Sequence, residues 1–132
     1  MTAIFEDRDR ADTAVEKLKA YAQPQRLMIL SFLATGEHTV GEIDAATGIG
    51  QPALSQQLAE LRRAELVKTR RVSKQIWYDL ADDKVELCVR SMEAILVGAS
   101  NPGKALEQII RGDRVPDISE AKAGTAGFAQ IL

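Results

Sequence analysis

The sequence predicts a mainly α fold (α+β): a winged helix-turn-helix with about five helices and a two-stranded β-hairpin. Three observations carry this reading. Leu54, Leu58 and Leu61 recur at spacings of four and three, so a helix turning every ~3.6 residues stacks them on one face and leaves Gln56, Ala59 and Arg63 opposite. Thr39-Val40-Gly41-Glu42 fits a capping box, and Gly48-Ile49-Gly50 downstream supplies the backbone freedom of a tight turn between two helices. Leu66-Val67-Lys68-Thr69-Arg70-Arg71 and Gln75-Ile76-Trp77-Tyr78-Asp79-Leu80, rich in β-branched and aromatic residues, flank Val72-Ser73-Lys74 as the two arms of a hairpin, the wing.

The remaining elements follow in chain order. Residues 1–9 are polar and read as frayed. Over residues 10–21, Ala11, Ala14, Val15, Leu18 and Tyr21 fall at helical spacing. Pro24 stands in the first turn of a second helix, residues 25–34, whose Leu27, Ile29, Leu30, Phe32 and Leu33 are too apolar for a surface helix and read as core. Gly36 ends it. After the hairpin, Asp82 is placed to cap a helix reaching about residue 97, with Val85, Cys88, Val89, Met92, Ile95 and Leu96 forming a wide apolar stripe. Asn101-Pro102-Gly103 can start a short helix over residues 104–111. The remainder of the tail, broken by Gly112, Pro116, Gly124 and Gly127, reads as a flexible extension; the alternative is that its apolar end, Phe128, Ile131 and Leu132, docks on a partner.

At 132 residues the chain reads as residues 1–98, a winged domain for DNA binding and dimerisation, followed by an extension over residues 99–132. It contains no apolar run of about 18 residues that could span a bilayer. The start of the chain lacks the pattern of a secretory signal, and its single cysteine excludes an intramolecular disulfide framework, so a reducing cytoplasm is the expected compartment, with no membrane partner. No nucleophile elbow, phosphate loop or paired-acid motif is present, so neither an enzyme nor a resident cofactor is expected.

The net charge is −2, yet residues 54–74 carry six basic residues against two acidic ones, so this segment stands at +4 and the rest of the chain at −6. Affinity for nucleic acid depends on the cations that reach phosphates, not on the charge of the whole chain. The outward face of the second motif helix offers glutamine, serine and arginine, donors and acceptors of modest bulk that suit base edges in a major groove. The stripes on the first and last helices exceed what a small winged core needs and suit a two-fold partner. A symmetric dimer would set two recognition helices about 34 Å apart, one DNA turn, to read a palindromic site.

Ala22-Gln23-Pro24-Gln25-Arg26-Leu27-Met28-Ile29-Leu30, then Gln51-Pro52-Ala53-Leu54-Ser55-Gln56-Gln57-Leu58, then Leu66-Val67 and Trp77-Tyr78-Asp79-Leu80 resemble the ArsR/SmtB family of bacterial winged helix-turn-helix repressors. The likeness covers residues 10–97 in unbroken order. It implies a homodimer that represses a promoter and is released by an inducer. By the same likeness Gln51, Ser55, Gln56 and Gln57 contact bases or nearby phosphates of an operator, and Arg62, Arg63, Arg70, Arg71 and Lys74 the backbone. Gln57 stands where many relatives have histidine, and Ser73 where the wing turn usually carries glycine.

The inducer half of the family pattern is missing. Relatives that sense metal through the third helix carry Glu-Leu-Cys-Val-Cys-Asp-Leu, whereas this chain has Glu37-His38-Thr39-Val40-Gly41-Glu42-Ile43, with Thr39 and Gly41 at the thiolate positions. The last helix has no histidine, and one cysteine with one histidine does not make a transition-metal site, so no metal sensing is expected. His38 reads as a surface loop residue. Cys88, within an apolar stripe, reads first as a small core residue; its alternative is a redox role, paired with its mate across the two-fold or oxidised alone. Three readings follow: a non-metal-sensing DNA-binding repressor, a thiol- or oxidant-responsive one acting through Cys88, and a protein-interaction module using the tail.

Overall fold

In the computed structural model, which describes residues 2–97 and 100–110, helix α1 (Arg8–Tyr21) starts earlier than the apolar pattern implies. Asp7 is the reason: its carboxylate accepts from the backbone N–H groups of Asp9 and Arg10 at 2.9 and 3.4 Å, satisfying amides that a helix start leaves free. Ile4–Glu6 forms a single 3-10 turn ahead of it, so the expectation of a frayed stretch over residues 1–9 is corrected. A run of acids and bases hides the capping aspartate from a reading based on apolar periodicity.

Helix α2 (Pro24–Leu33) begins on Pro24, whose missing N–H costs nothing in a first turn, and buries Ile29, Leu30 and Leu33. It touches helix α3 (Val40–Thr47), helix α4 (Ala53–Arg63) and a sheet of three antiparallel strands: β1 (His38–Thr39), β2 (Val67–Val72) and β3 (Gln75–Leu80), in the order β1-β3-β2. The β2–β3 hairpin is the expected wing, closed by a two-residue turn at Ser73-Lys74, since Val72 pairs with Gln75. Strand β1 is an addition. His38 faces Tyr78 and Thr39 faces Trp77, so the segment entering α3 is stitched to the wing.

His38 therefore is not a surface loop residue. Its ring stacks on Phe32 with centroids 3.9 Å apart, Nε2 lies 3.0 Å from Thr35 Oγ1, and Nδ1 lies 3.5 Å from the Glu42 carboxylate. The core beneath these elements is Ile29, Leu30 and Leu33 from α2, Ile43 from α3, Leu54, Leu58 and Leu61 from α4, and Leu66, Val67 and Leu80 from the wing base. Each such side chain contributes about 2 kcal/mol by leaving water.

Two compact units divide the chain between Asp82 and Asp83. The second holds helix α5 (Asp83–Leu96) and helix α6 (Pro102–Ile110). Asn101 Oδ1 accepts from the Lys104 N–H at 3.0 Å and starts α6 where the sequence marks a helix start; Ala105 and Ile109 pack with Ala94 of α5, and Leu106 lies against them. Val85 and Val89 of α5 are buried and Cys88 is half-buried, while Met92, Ile95 and Leu96 stay exposed. The tail beyond Ile110, with Phe128, Ile131 and Leu132, lies outside the described residues.

Candidate nucleic-acid interface

The joint between α3 and α4 fixes how α4 is presented. Thr39 and Glu42 close the capping box that starts α3: the Glu42 N–H donates to Thr39 Oγ1 at 3.3 Å, and the Thr39 N–H donates to Glu42 Oε1 at 3.0 Å. That backbone N–H is the main reason the Glu42 carboxyl lies below the usual glutamate range, with burial opposing and His38 assisting. Gly48 ends α3 at φ 68° and Gly50 follows at φ 79°, left-handed conformations that favour glycine. Asp44 Oδ1 accepts from the Gly50 N–H at 2.9 Å and braces the turn from within α3.

Helix α4 then buries Leu54, Leu58 and Leu61 and turns the opposite face outward, as its spacing predicts. Gln51 caps it from outside: its Oε1 accepts from the Ser55 N–H at 3.1 Å and from the Ser55 hydroxyl at 2.7 Å. Gln51 keeps its amide donors for another partner, and Ser55 keeps acceptor lone pairs. Gln56 is exposed and its carboxamide has no partner among the described residues. Gln57 points elsewhere. Its Oε1 accepts from Arg26 Nε at 2.9 Å, and its Nε2 donates to Gln23 Oε1 at 3.0 Å and Gln25 Oε1 at 3.3 Å. Arg26 also donates through Nη1 to the Ala20 carbonyl, at 3.2 Å. The sequence groups Gln57 with the other polar residues of the motif; the structure gives its amide to α2, a role that a seven-residue window around it does not reveal.

Gln23, Arg26, Gln56, Gln57, Ala59, Glu60 and Arg63 line an open cleft of about 480 Å³ along the outer side of α4. Arg63 is held at its rim by Glu60, Nη2 to Oε1 at 2.5 Å, an exposed pair of little energetic weight. Arg62 is exposed and has no ion-pair partner among the described residues. Helix α4 ends without glycine. Glu65 adopts the left-handed conformation at φ 60°, its N–H donates to the Arg62 carbonyl, and the Leu66 N–H donates to the Leu61 carbonyl, both at 3.0 Å. This is a Schellman closure, and the two residues joined by its longer bond, Leu61 and Leu66, are both buried.

Pairing in the wing sorts its basic residues. Val67, Thr69 and Arg71 share a face with Leu80, Tyr78 and Ile76, whereas Lys68, Arg70 and Val72 share the other with Asp79, Trp77 and Gln75. Arg70 reaches past Trp77 to Glu37: Nε donates to Oε2 at 2.7 Å and Nη2 donates to Oε1, a two-pronged pair. The Arg70 hydrogen bond holds the Glu37 carboxyl below the usual range, with a small contribution from Lys68, and Glu37 in turn raises the Arg70 guanidinium. Arg71 Nε donates to the Ser73 carbonyl at 3.3 Å, and Ser73 takes φ 59° in the turn beside exposed Lys74.

Residues 23–69 match the family model described as bacterial regulatory protein, arsR family. The chain is 49% identical over 86 residues to the biofilm growth-associated repressor of Agrobacterium fabrum, covering 65% of this chain and 74% of that protein. The crystal structure of the transcriptional repressor BigR from Xylella fastidiosa superposes with a TM-score of 0.66 at 40% identity, covering 71% of this chain and 96% of that one. The transcriptional regulator HlyU from Vibrio vulnificus gives 0.65 at 36% identity, covering 70% and 96%.

Proposed function

Because this chain belongs to the arsR family of bacterial regulatory proteins, a DNA-binding regulator family, we propose that it is a sequence-specific repressor that binds a palindromic operator in double-stranded DNA as a homodimer. The observation that carries the reading is the outward face of α4, where exposed Gln56 stands beside the cleft it shares with Arg63. Gln56, with Gln51 and Ser55, reads base edges; Gln57 acts one step back, orienting α4 through Arg26. Arg62, Arg63, Arg71 and Lys74 supply charge to phosphates, with Arg70 on the same wing.

Support for the homodimer comes from each unit taken alone. Helix α1 buries none of its residues and leaves Val15 and Leu18 48% and 60% exposed, and α5 leaves Leu87, Met92, Ile95 and Leu96 open. Such stripes are what a two-fold partner covers. The repressor works without a metal: Thr39 and Gly41 occupy the thiolate positions, and both nitrogens of the one histidine face protein oxygens. Cys88 is structural in this reading, so Cys88→Ser retains operator binding and any response to oxidant.

Fluorescence anisotropy with DNA from the protein's own promoter region, titrated against salt, tests the proposal. Tight binding that favours the promoter over random DNA and weakens steeply with salt supports it. Weak binding indifferent to sequence overturns it.

A further inference from the structure

We propose that Glu37 sets the wing's hold on DNA by occupying Arg70, so that Arg70 is withheld from the phosphates although it lies among the wing's basic residues. The inference rests on the DNA-binding reading above. Glu37 precedes β1, and the register of β1 against β3 puts Thr39 opposite Trp77, which is itself opposite Arg70. Two residues before Thr39, Glu37 shares that face of the sheet, and its carboxylate engages the Arg70 guanidinium through both Nε and Nη2. The other basic residues are held less firmly: Arg63 makes a one-pronged, exposed pair with Glu60, Lys74 and Arg62 have no ion-pair partner among the described residues, and Arg71 reaches only a backbone carbonyl.

The consequence is one of counterions. A cation that neutralises a phosphate releases the condensed ions around it, and each such contact steepens the salt dependence of binding. Arg70 already has its anion. Moving it to a phosphate exchanges one charge-assisted pair for another and leaves Glu37 bare beside the duplex, where it repels phosphate or recruits a cation of its own. The net release is close to zero, so Glu37 subtracts Arg70 from the electrostatic footprint. The cations facing Glu37 are Arg70 and Lys68, both from β2, and Asp79 of β3 shares that face of the sheet.

A double-mutant cycle on the full chain, read by anisotropy with random-sequence duplex across a salt series, tests this. Glu37→Gln is expected to tighten binding severalfold and to steepen the log–log salt slope by about 0.9, so that a tenfold rise in salt weakens it about eightfold more than the native protein. Glu37→Ala gives the same direction. Arg70→Ala in the native background leaves the slope unchanged, and Arg70→Ala added to Glu37→Gln restores the native slope. If Arg70→Ala alone flattens the slope by about 0.9, or Glu37→Gln weakens binding, Arg70 is a working phosphate contact that Glu37 preorganises, and the inference is overturned. A native protein that binds no duplex overturns the DNA-binding reading itself; binding without coupling between the two positions overturns only the role of Glu37.

Discussion

Gln57 Oε1 accepts a hydrogen bond from Arg26 Nε at 2.9 Å, joining α4 to α2 across 31 positions of sequence. The bond is part-buried, and the other end of the same amide binds Gln23 and Gln25. Replacing Gln57 with Leu strands Arg26 Nε beside an apolar group, a loss of about 1–3 kcal/mol in stability. If Gln57 works by orienting α4, the Leu variant discriminates less between operator and random DNA while its salt slope stays native. Equal weakening on operator and random DNA would instead place Gln57 on a phosphate.

The two outward residues of α4 separate by the kind of contact each makes. Gln56→Ala is expected to lose about 1–3 kcal/mol of operator preference with little change on random DNA, as for loss of a base-edge pair. Arg63→Ala should weaken all duplexes alike and reduce the salt slope by about 0.9. Competition binding with operator and scrambled duplexes distinguishes them, and unchanged affinity in a folded double variant would remove α4 from the interface.

Acid should loosen the start of α3. The folded-state pKa of Glu42 is depressed, first by the Thr39 N–H, so the stability it adds is fully present above the unfolded glutamate value of about 4.3 and disappears as pH falls through the lower folded value. Urea midpoints of the native protein should therefore fall more steeply between about pH 5 and pH 3 than those of Glu42→Gln, which has no charge to lose. Parallel pH profiles would show that the capping box owes nothing to ionisation. Thr39→Ala, which removes the other half of the box, should cost about 1 kcal/mol at neutral pH.

Glu65 holds a left-handed backbone that glycine adopts without strain. Glu65→Gly is expected to raise the stability of the fold by up to about 1 kcal/mol, the relief at the helix end outweighing the entropy returned to the unfolded chain. Thermal denaturation of the two proteins decides it, and a lower melting temperature would show that the native Schellman closure is unstrained.

Much of the architecture can be read directly from residue types because local chemistry and tertiary packing agree there. The capping box at Thr39 and Glu42, the glycines of the turn, and Leu54, Leu58 and Leu61 each specify their conformation within a few residues. Strand β1 is not legible, since two residues carry no period and owe their extended pairing to Tyr78 and Trp77. The end of α4 is equally hidden: Glu65 stands where glycine would announce the stop. In the candidate interface, spacing alone separates the outward from the inward face of α4, but the partners of Gln57 and Arg70 lie more than 30 positions away, and only folding brings them together.

The strict alternation of the wing also limits how this hairpin can diverge. Val67 and Leu80 are its buried anchors, and every second residue out from them shares their face. Inserting one residue into β2 between Val67 and Arg70 would exchange Arg70 for Arg71 between the faces, and one inserted into β3 short of Leu80 would do the same to Ile76 and Trp77. Lineages that lengthen this wing should therefore do so in pairs of residues, or reshape the Ser73-Lys74 turn to absorb the odd one.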